Sequence, residues 1–259
     1  MKKILIILHL LSIMGNAFCQ SKLSSRVWVG DSLEYLSIDR TELIFEKPGF
    51  LPERKTYSVL GDTLRIFYLK SQQNKNPNSK IKYYDFLIKK LTDSSLVLIP
   101  KNDYAKALAD YKDSIGYKER HFVKTTLTRF DYLRFNSTRC KGDCASQTFE
   151  ITIDRKIRFI GGANAVKEGF YTGNICDSLF FALLEEINMS NITRLNSWKQ
   201  QVNDIPEISI EIKYGDSIKK LKYFIFPSVA NALVEFLYNL PEKVQLSESK
   251  EPFVIAFAE

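Results

Sequence analysis

Hydrophobic and polar residues alternate in short runs from position 26 to position 100, and this period of two predicts β-strands. Gly61-Asp62 is a favoured two-residue hairpin turn between two of these runs. The polar stretch 70–80 predicts a long exposed hairpin tip. Short strands joined by turns predict an antiparallel β meander that closes, or partly closes, into a barrel. The predicted strands are Arg26–Val29, Glu34–Ile38, Glu42–Phe45, Lys55–Leu60, Thr63–Leu69, Ile81–Leu91 and Ser95–Pro100.

The strand pattern weakens over residues 101–125, which we therefore predict to connect two domains. A short helix is predicted from Asn102 to Tyr111, capped at Asn102 or Asp103. His121–Leu127 is then expected to enter a second sheet, and Phe130–Phe135 to continue it.

Strand patterns and helix patterns take turns in the second half of the chain. Apolar residues recur at helical spacing over Asp177–Met189, and a second helix is predicted from Pro227-Ser228 to Pro241. The strand-like runs around these helices are 148–153, 157–160, 166–171, 208–212 and 221–225. The pattern predicts an α+β domain over residues 126–246, in which an antiparallel sheet packs with two helices. Residues 247–259 are predicted to be a tail, with Pro252–Ala258 as an edge strand.

Cys140 and Cys144 lie on either side of Gly142, which allows a sharp turn. A structural disulfide, a reactive thiol pair and a metal site all remain open interpretations of this spacing, and a disulfide fits an oxidising compartment best. The chain-entropy estimate for closing so small a loop is about 2 kcal/mol, against about 4 kcal/mol for a Cys140–Cys176 bridge. We expect Cys140 and Cys144 to pair and Cys176 to remain as a candidate free thiol.

The second half of the chain also resembles a known family. Arg139-Cys140-x-Gly142-x-Cys144, an alternating strand, Phe159-Ile160-Gly161 and then Gly169-x-Tyr171 resemble an uncharacterised bacterial family, domain of unknown function 6438. The resemblance covers roughly residues 130–246 and implies export, since such proteins are mostly exported, but it brings no activity. More loosely, Trp28 followed by a run of hairpins resembles small bacterial lipocalin-like domains. That resemblance implies a barrel that could hold a small apolar ligand, and a filled interior is the favoured alternative.

The first nineteen residues are predicted to be a signal peptide. Lys2-Lys3 is followed by the mainly apolar run of eleven residues Ile4–Met14 and by Ala17-Phe18-Cys19. The apolar run is too short to span a bilayer, so no transmembrane segment is predicted. Cleavage after Cys19 would produce a periplasmic or secreted protein, and lipidation of Cys19 is the less favoured alternative. Residues 20–100 then form the first domain.

Composition and charge narrow the function classes. The 259 residues are 45% hydrophobic and 26% charged, as in an ordinary globular protein, and the formal charge of +7 falls to +5 once Lys2 and Lys3 are removed. The lysines are scattered among acidic residues, so nucleic-acid binding is not expected.

Candidate catalytic residues are few. His121 is the only histidine after the signal peptide, and no hydrolase, zinc or phosphate-loop motif accompanies it. Cys176 precedes a helix, where a thiolate is favoured. The sequence therefore indicates a non-enzymatic binding or interaction module with no cofactor or metal, and a small apolar ligand or a protein as the candidate partner. The alternative is a thiol-dependent redox protein or enzyme that uses Cys140 and Cys144 with His121.

Overall fold

The computed structural model of the chain describes residues 23–24, 26–39, 41–47, 49–68, 82–197, 202 and 204–258. The signal peptide at 1–19 and the hairpin tip at 70–80 are sequence predictions that lie outside these described residues. The chain divides into two compact units, Met1–Val123 and Lys124–Glu259.

The first unit contains a closed barrel of eight antiparallel strands, each paired with the next, and β8 pairs with β1. The seven strands predicted from the alternating pattern are all present, and Gly61 has a positive φ of 63° in the predicted turn. The strands are β1 (Arg26–Gly30), β2 (Tyr35–Ile38), β3 (Glu42–Glu46), β4 (Glu53–Leu60), β5 (Thr63–Tyr68), β6 (Lys82–Leu91), β7 (Ser95–Pro100) and β8 (Ile115–Glu119).

Apolar side chains from the barrel strands form one contiguous buried cluster. Trp28 on β1 is fully buried in it, together with Leu36, Leu64, Phe86 and Leu96 from other strands. Alternation places these side chains on the same surface of their strands, so closing the barrel removes all of them from water.

Residues 101–125, which were predicted to connect two domains, contain a helix and a strand that belong to the barrel unit. Asn102 accepts a hydrogen bond from the Ala105 backbone N–H (2.9 Å) and caps helix α1, Asp103–Leu108. β8 follows, with Ile115 and Tyr117 buried against the barrel core. The sequence signal for β8 is weak, because only two apolar residues alternate around Gly116. In addition, β1, with which β8 pairs, lies far away in sequence. His121 lies in a single 3-10 turn, Arg120–Phe122, rather than in a strand.

The second unit is a seven-stranded antiparallel sheet with strand order β14-β13-β9-β10-β11-β12-β15. The α+β class predicted for the chain is confirmed. The strands are β9 (Tyr132–Ser137), β10 (Gln147–Thr152), β11 (Lys156–Gly161), β12 (Gly169–Asn174), β13 (Ile208–Tyr214), β14 (Ser217–Tyr223) and β15 (Leu246–Glu248). The helices are α2 (Asp177–Met189), a 3-10 turn (Ser228–Ala230), α3 (Asn231–Tyr238) and α4 (Leu240–Lys243).

One face of this sheet forms the core with the helices. Phe135 and Phe149, on neighbouring strands, are fully buried with ring centroids 5.1 Å apart. Phe180 on α2 packs against Phe130 with a centroid distance of 5.3 Å. The residues between the buried ones on each strand therefore point to the opposite face, which we call the open face.

Two details of the C-terminal region differ from the sequence prediction. Pro241 lies in the first turn of α4 rather than ending the preceding helix, since proline is tolerated where the backbone N–H needs no partner. Pro252–Ala258 is not a strand, and β15 is the edge strand beside β12.

Candidate functional site

The open face carries a row of alternating charges across four neighbouring strands, which we call the charge ladder. Strand register places Glu211 on β13 opposite Arg134 on β9, Arg134 opposite Glu150 on β10, and Glu150 opposite Arg158 on β11. Arg134 Nη1 donates to Glu211 Oε1 at 2.8 Å, and Arg134 Nε donates to Glu150 Oε2 at 2.6 Å. Arg158 Nη1 lies 3.7 Å from Glu150 Oε1.

Burial makes the charge ladder sensitive to the loss of its three most buried members, Glu211, Glu150 and Arg134. Glu211 is only 1% exposed, whereas Arg134 is 19% exposed and Glu150 is 12% exposed. Burial works to lower the pKa of Arg134, but the hydrogen bond and charge of Glu150 outweigh it, so the pKa is raised. The Arg134 guanidinium also lies 4.1 Å from the centre of the Tyr132 ring. Burial, followed by the hydrogen bond to Glu211, raises the pKa of Tyr132.

Residues 250–258 cross the open face, and we call them the strap. The backbone carbonyl of Val254 accepts a hydrogen bond from Arg158 Nη2 (3.3 Å), and the backbone N–H of Ala258 donates to Glu211 Oε2 (2.7 Å). Phe253 packs edge-on against Phe170 of β12 with centroids 5.4 Å apart. The Arg158 guanidinium lies 4.4 Å from the centre of the Phe253 ring. The strap therefore reaches both ends of the charge ladder.

A groove of about 610 Å³ lies on the open face, and we call it the strand groove. Its walls come from β10, β11 and β12, with Ser247 of β15 at the edge. Most of the wall consists of side chains that can donate or accept hydrogen bonds: Glu150, Thr152, Asp154, Lys156, Arg158, Thr172, Asn174 and Ser247. This volume falls within the range of about 300–1,000 Å³ typical of small-ligand sites.

A second groove, of about 290 Å³, lies beside the far end of the strap. Phe257 and Ala258 of the strap form one wall, and side chains of β13 and β14, including Lys220 and Lys222, form others. Lys222 also forms an ion pair with Glu207 (2.8 Å). The surface that the strap follows therefore continues beyond Ala258.

The barrel unit has a smaller apolar pocket of about 200 Å³ between the β3–β4 connection and α1. Phe45, Phe50, Leu51 and Leu108 line it, and Phe50 is 67% exposed. At this size it lies below the usual range for small-ligand sites.

None of Cys140, Cys144, Cys176 and His121, singled out from the sequence, is a member of the charge ladder. The structure joins Cys140 and Cys144 in a disulfide with a Cα–Cα distance of 5.6 Å, and Lys141, Gly142 and Asp143 are exposed at its tip. His121 Nδ1 contacts Glu119 Oε1 at 2.9 Å in the barrel unit.

Cys176 is a free, exposed cysteine at the N-cap position of α2. The hydrogen bond with Ser178 (3.3 Å), followed by that from the backbone N–H of Leu179, lowers the pKa of the Cys176 thiol. Among the described residues, Cys176 is the only cysteine outside the disulfide.

Sequence reasoning did not identify the charge ladder or the strap. The signal for the ladder was present, since its members occupy the polar positions of predicted strands. Alternation reveals the face on which a residue lies, but it does not reveal which strands are neighbours. Among the residues that the structure describes, no group of three or more His, Cys, Asp and Glu side chains could hold a metal ion. No helix within the described ranges is both long and apolar enough to cross a membrane.

Comparison with known proteins identifies the second unit only. Residues 131–242 match the model of a family described as Domain of unknown function (DUF6438), which confirms the resemblance found in the sequence. The matched region contains the disulfide, the charge ladder and helices α2 and α3, and the strap lies beyond it. No curated protein matches the chain. The lipocalin-like resemblance of the first half stays a prediction.

Proposed function

We propose that this protein is an exported, non-enzymatic binding module whose binding surface is the open face of the C-terminal sheet. The observation that carries the proposal is the strand groove, because it combines the volume of a small-ligand site with walls of hydrogen-bonding side chains. The helices pack on the other face, so a ligand would not have to displace them.

The electrostatics of the groove favour binding over acid–base chemistry. Hydrogen bonds from Lys156 and then Thr152 lower the pKa of Asp154, and the Asp154 hydrogen bond raises the pKa of Lys156. Asp154 therefore stays ionised and Lys156 stays protonated near neutral pH. A general acid or base works best with a pKa near the working pH, so these shifts move both groups away from that role. Fixed charges of both signs suit a polar ligand with both donors and acceptors.

Amide chemical-shift mapping of the full chain tests the proposal with three defined probes: trialanine, sucrose and succinate. We expect at least one probe to shift the amides of Thr152, Arg158 and Thr172 in a saturable manner. Replacing the exposed Thr172 with Trp should fill the groove and remove the effect, and Ile218→Trp on β14 is the matched control. If no probe shifts these amides, or if Thr172→Trp leaves the shifts unchanged, the groove is not the binding surface.

The export part of the proposal has a separate test. Expression with the native N-terminus in a Gram-negative host should yield a periplasmic or secreted protein that begins at Gln20. Recovery of the intact chain in the cytoplasm, or of a lipid-modified Cys19, would contradict soluble export.

The second candidate function is a thiol-dependent redox protein or enzyme that uses Cys140 and Cys144. The exposed tip of the disulfide loop favours it, because a redox partner would need access to the sulfurs. Thiol titration of the native protein in millimolar glutathione distinguishes the two candidates. Reversible opening of the bridge would support redox chemistry, and a bridge that resists glutathione would support a structural role.

A further inference from the structure

We infer that the open face binds extended peptide segments that carry apolar residues at alternate positions. The binding surface is the path across the open face that the strap occupies, and we call this path the track. The inference rests on the proposed binding function of the open face and names the class of partner.

The sheet holds the strap mainly through groups that any peptide has. Arg158 donates to the carbonyl of Val254, and Glu211 accepts from the N–H of Ala258. In each contact the sheet contributes a charged side chain and the strap contributes its backbone. Hydrogen bonds with one charged partner are stronger than those between neutral groups. Such contacts recognise an extended backbone more than a particular sequence.

The distance between these two contacts requires an extended strap. Arg158 on β11 and Glu211 on β13 are separated by three strand spacings, which at about 4.8 Å each amount to about 14 Å. The four residue-to-residue steps from Val254 to Ala258 can span at most about 14 Å. The strap therefore runs across the strands in an extended conformation and does not form the edge strand predicted for Pro252–Ala258.

The side chains of the strap alternate between the sheet and the solvent. Ile255 is buried, and Phe253 and Phe257 are half-buried, whereas Val254 is 80% exposed. The apolar residues that face the sheet supply burial, and the aromatic contacts of Phe253 add to it. The sheet does not restrict the type of the residues that face solvent, such as Val254. This alternation is the pattern that a partner segment must reproduce.

The track is longer than the strap that occupies it. The groove beside Phe257 and Ala258 adjoins the strap directly, and the strand groove shares with the strap the side chain of Arg158, which donates to the Val254 carbonyl. A longer partner segment could keep both backbone contacts and also fill these grooves. A partner could therefore displace the strap even though the strap is tethered.

Fluorescence anisotropy tests the inference with a labelled synthetic peptide of residues 250–258 as the probe. The receptor is the full chain with Phe253→Ser and Phe257→Ser, which loosens the strap, and the wild-type chain is its control. A tethered strap competes at an effective concentration of about 1 mM. If the peptide binds the loosened chain with a Kd of about 10 µM, the wild-type chain should bind about 100-fold more weakly.

Two controls identify the track. The same peptide with serine at the positions of Phe253 and Phe257 should bind at least about tenfold more weakly to the loosened chain, because the two lost side chains together are worth about 1.4 kcal/mol or more. Glu211→Gln in the loosened chain should also weaken binding, whereas Glu248→Gln on the exposed edge strand should not.

A second form of the receptor keeps the test valid if the loosened chain fails to fold. A protease site inserted between Ser249 and Lys250 allows the native strap to be cut after folding and washed away, and the cut protein should then bind the labelled peptide. Equal binding by wild-type and loosened chains, or no binding by the loosened and cut chains, would overturn the inference. If the small probes still shift the strand groove, the proposed function stands without this partner class.

Discussion

Removing Arg134 should strongly destabilise the C-terminal unit, because this guanidinium neutralises two carboxylates on the open face. Arg134→Leu keeps most of the side-chain volume but leaves Glu211 with no cation at 2.8 Å and Glu150 with none at 2.6 Å. Breaking a buried ion pair by removing one partner costs about 3–5 kcal/mol. Because Arg134 is 19% exposed while Glu211 is 1% exposed, we expect the lower end of that range, about 3 kcal/mol.

Chemical denaturation followed by tryptophan fluorescence and circular dichroism measures this loss, and a matched variant isolates its cause. The double variant Arg134→Leu/Glu211→Gln also removes the buried Glu211 charge that Arg134→Leu leaves without a cation. It should therefore recover about 1–2 kcal/mol of the lost free energy of unfolding. Lys156→Leu, which breaks the exposed pair with Asp154 in the same sheet, should be indistinguishable from wild type. A cost below about 1 kcal/mol for Arg134→Leu would refute the reasoning, since it would place the charge ladder among ordinary surface pairs.

Three further outcomes are expected. Peptide mapping without reduction should recover a Cys140–Cys144 linked peptide, and a Cys140–Cys176 linked peptide would contradict this pairing. Cys144→Ser should lower the free energy of unfolding by about 2 kcal/mol while leaving the domain folded. Alkylation of Cys176 by iodoacetamide should reach its plateau at a lower pH than alkylation of free cysteine, because the hydrogen bond with Ser178 stabilises the thiolate. Ser178→Ala should shift this pH profile to higher pH. An unchanged profile would show that Ser178 does not lower the pKa of the thiol. Trp28→Ala should cost about 3–5 kcal/mol in the thermal unfolding of the barrel, and a loss below about 1 kcal/mol would show that its site is not packed.

The alternating pattern predicted most strands and the face on which each residue lies, but it did not predict which strands pair with each other. Leu64 and Ile66 lie two residues apart in the predicted strand Thr63–Leu69, which puts them on one face, and both are buried in the barrel. Strand β8 was not predicted, because it has few apolar residues and is stabilised by pairing with β1, more than eighty residues earlier in the sequence. Information about such pairing is not local, so a pattern within one segment cannot contain it.

The same limit explains why the candidate site was not found from the sequence. Arg134 and Glu211 are 77 residues apart in sequence and become neighbours only through the register of β9 and β13. In the sequence, each is one polar residue in an alternating strand and resembles an ordinary solvent-facing charge. The apolar run Pro252–Ala258 led to the prediction of an edge strand, which is wrong because these residues belong to the strap. It could not indicate that the segment crosses the sheet instead of extending it.

Mapping the position of a bound peptide on the protein tests the central claim most directly. Amide chemical shifts of the isotope-labelled full chain with Phe253→Ser and Phe257→Ser would be followed during titration with the unlabelled peptide of residues 250–258. The account predicts that the largest shifts fall on the open-face residues Arg134, Arg158 and Glu211, and that the amides of helix α2 are unaffected. Shifts concentrated on α2 and α3, or spread evenly over the C-terminal unit, would contradict the claim that the open face is a binding surface.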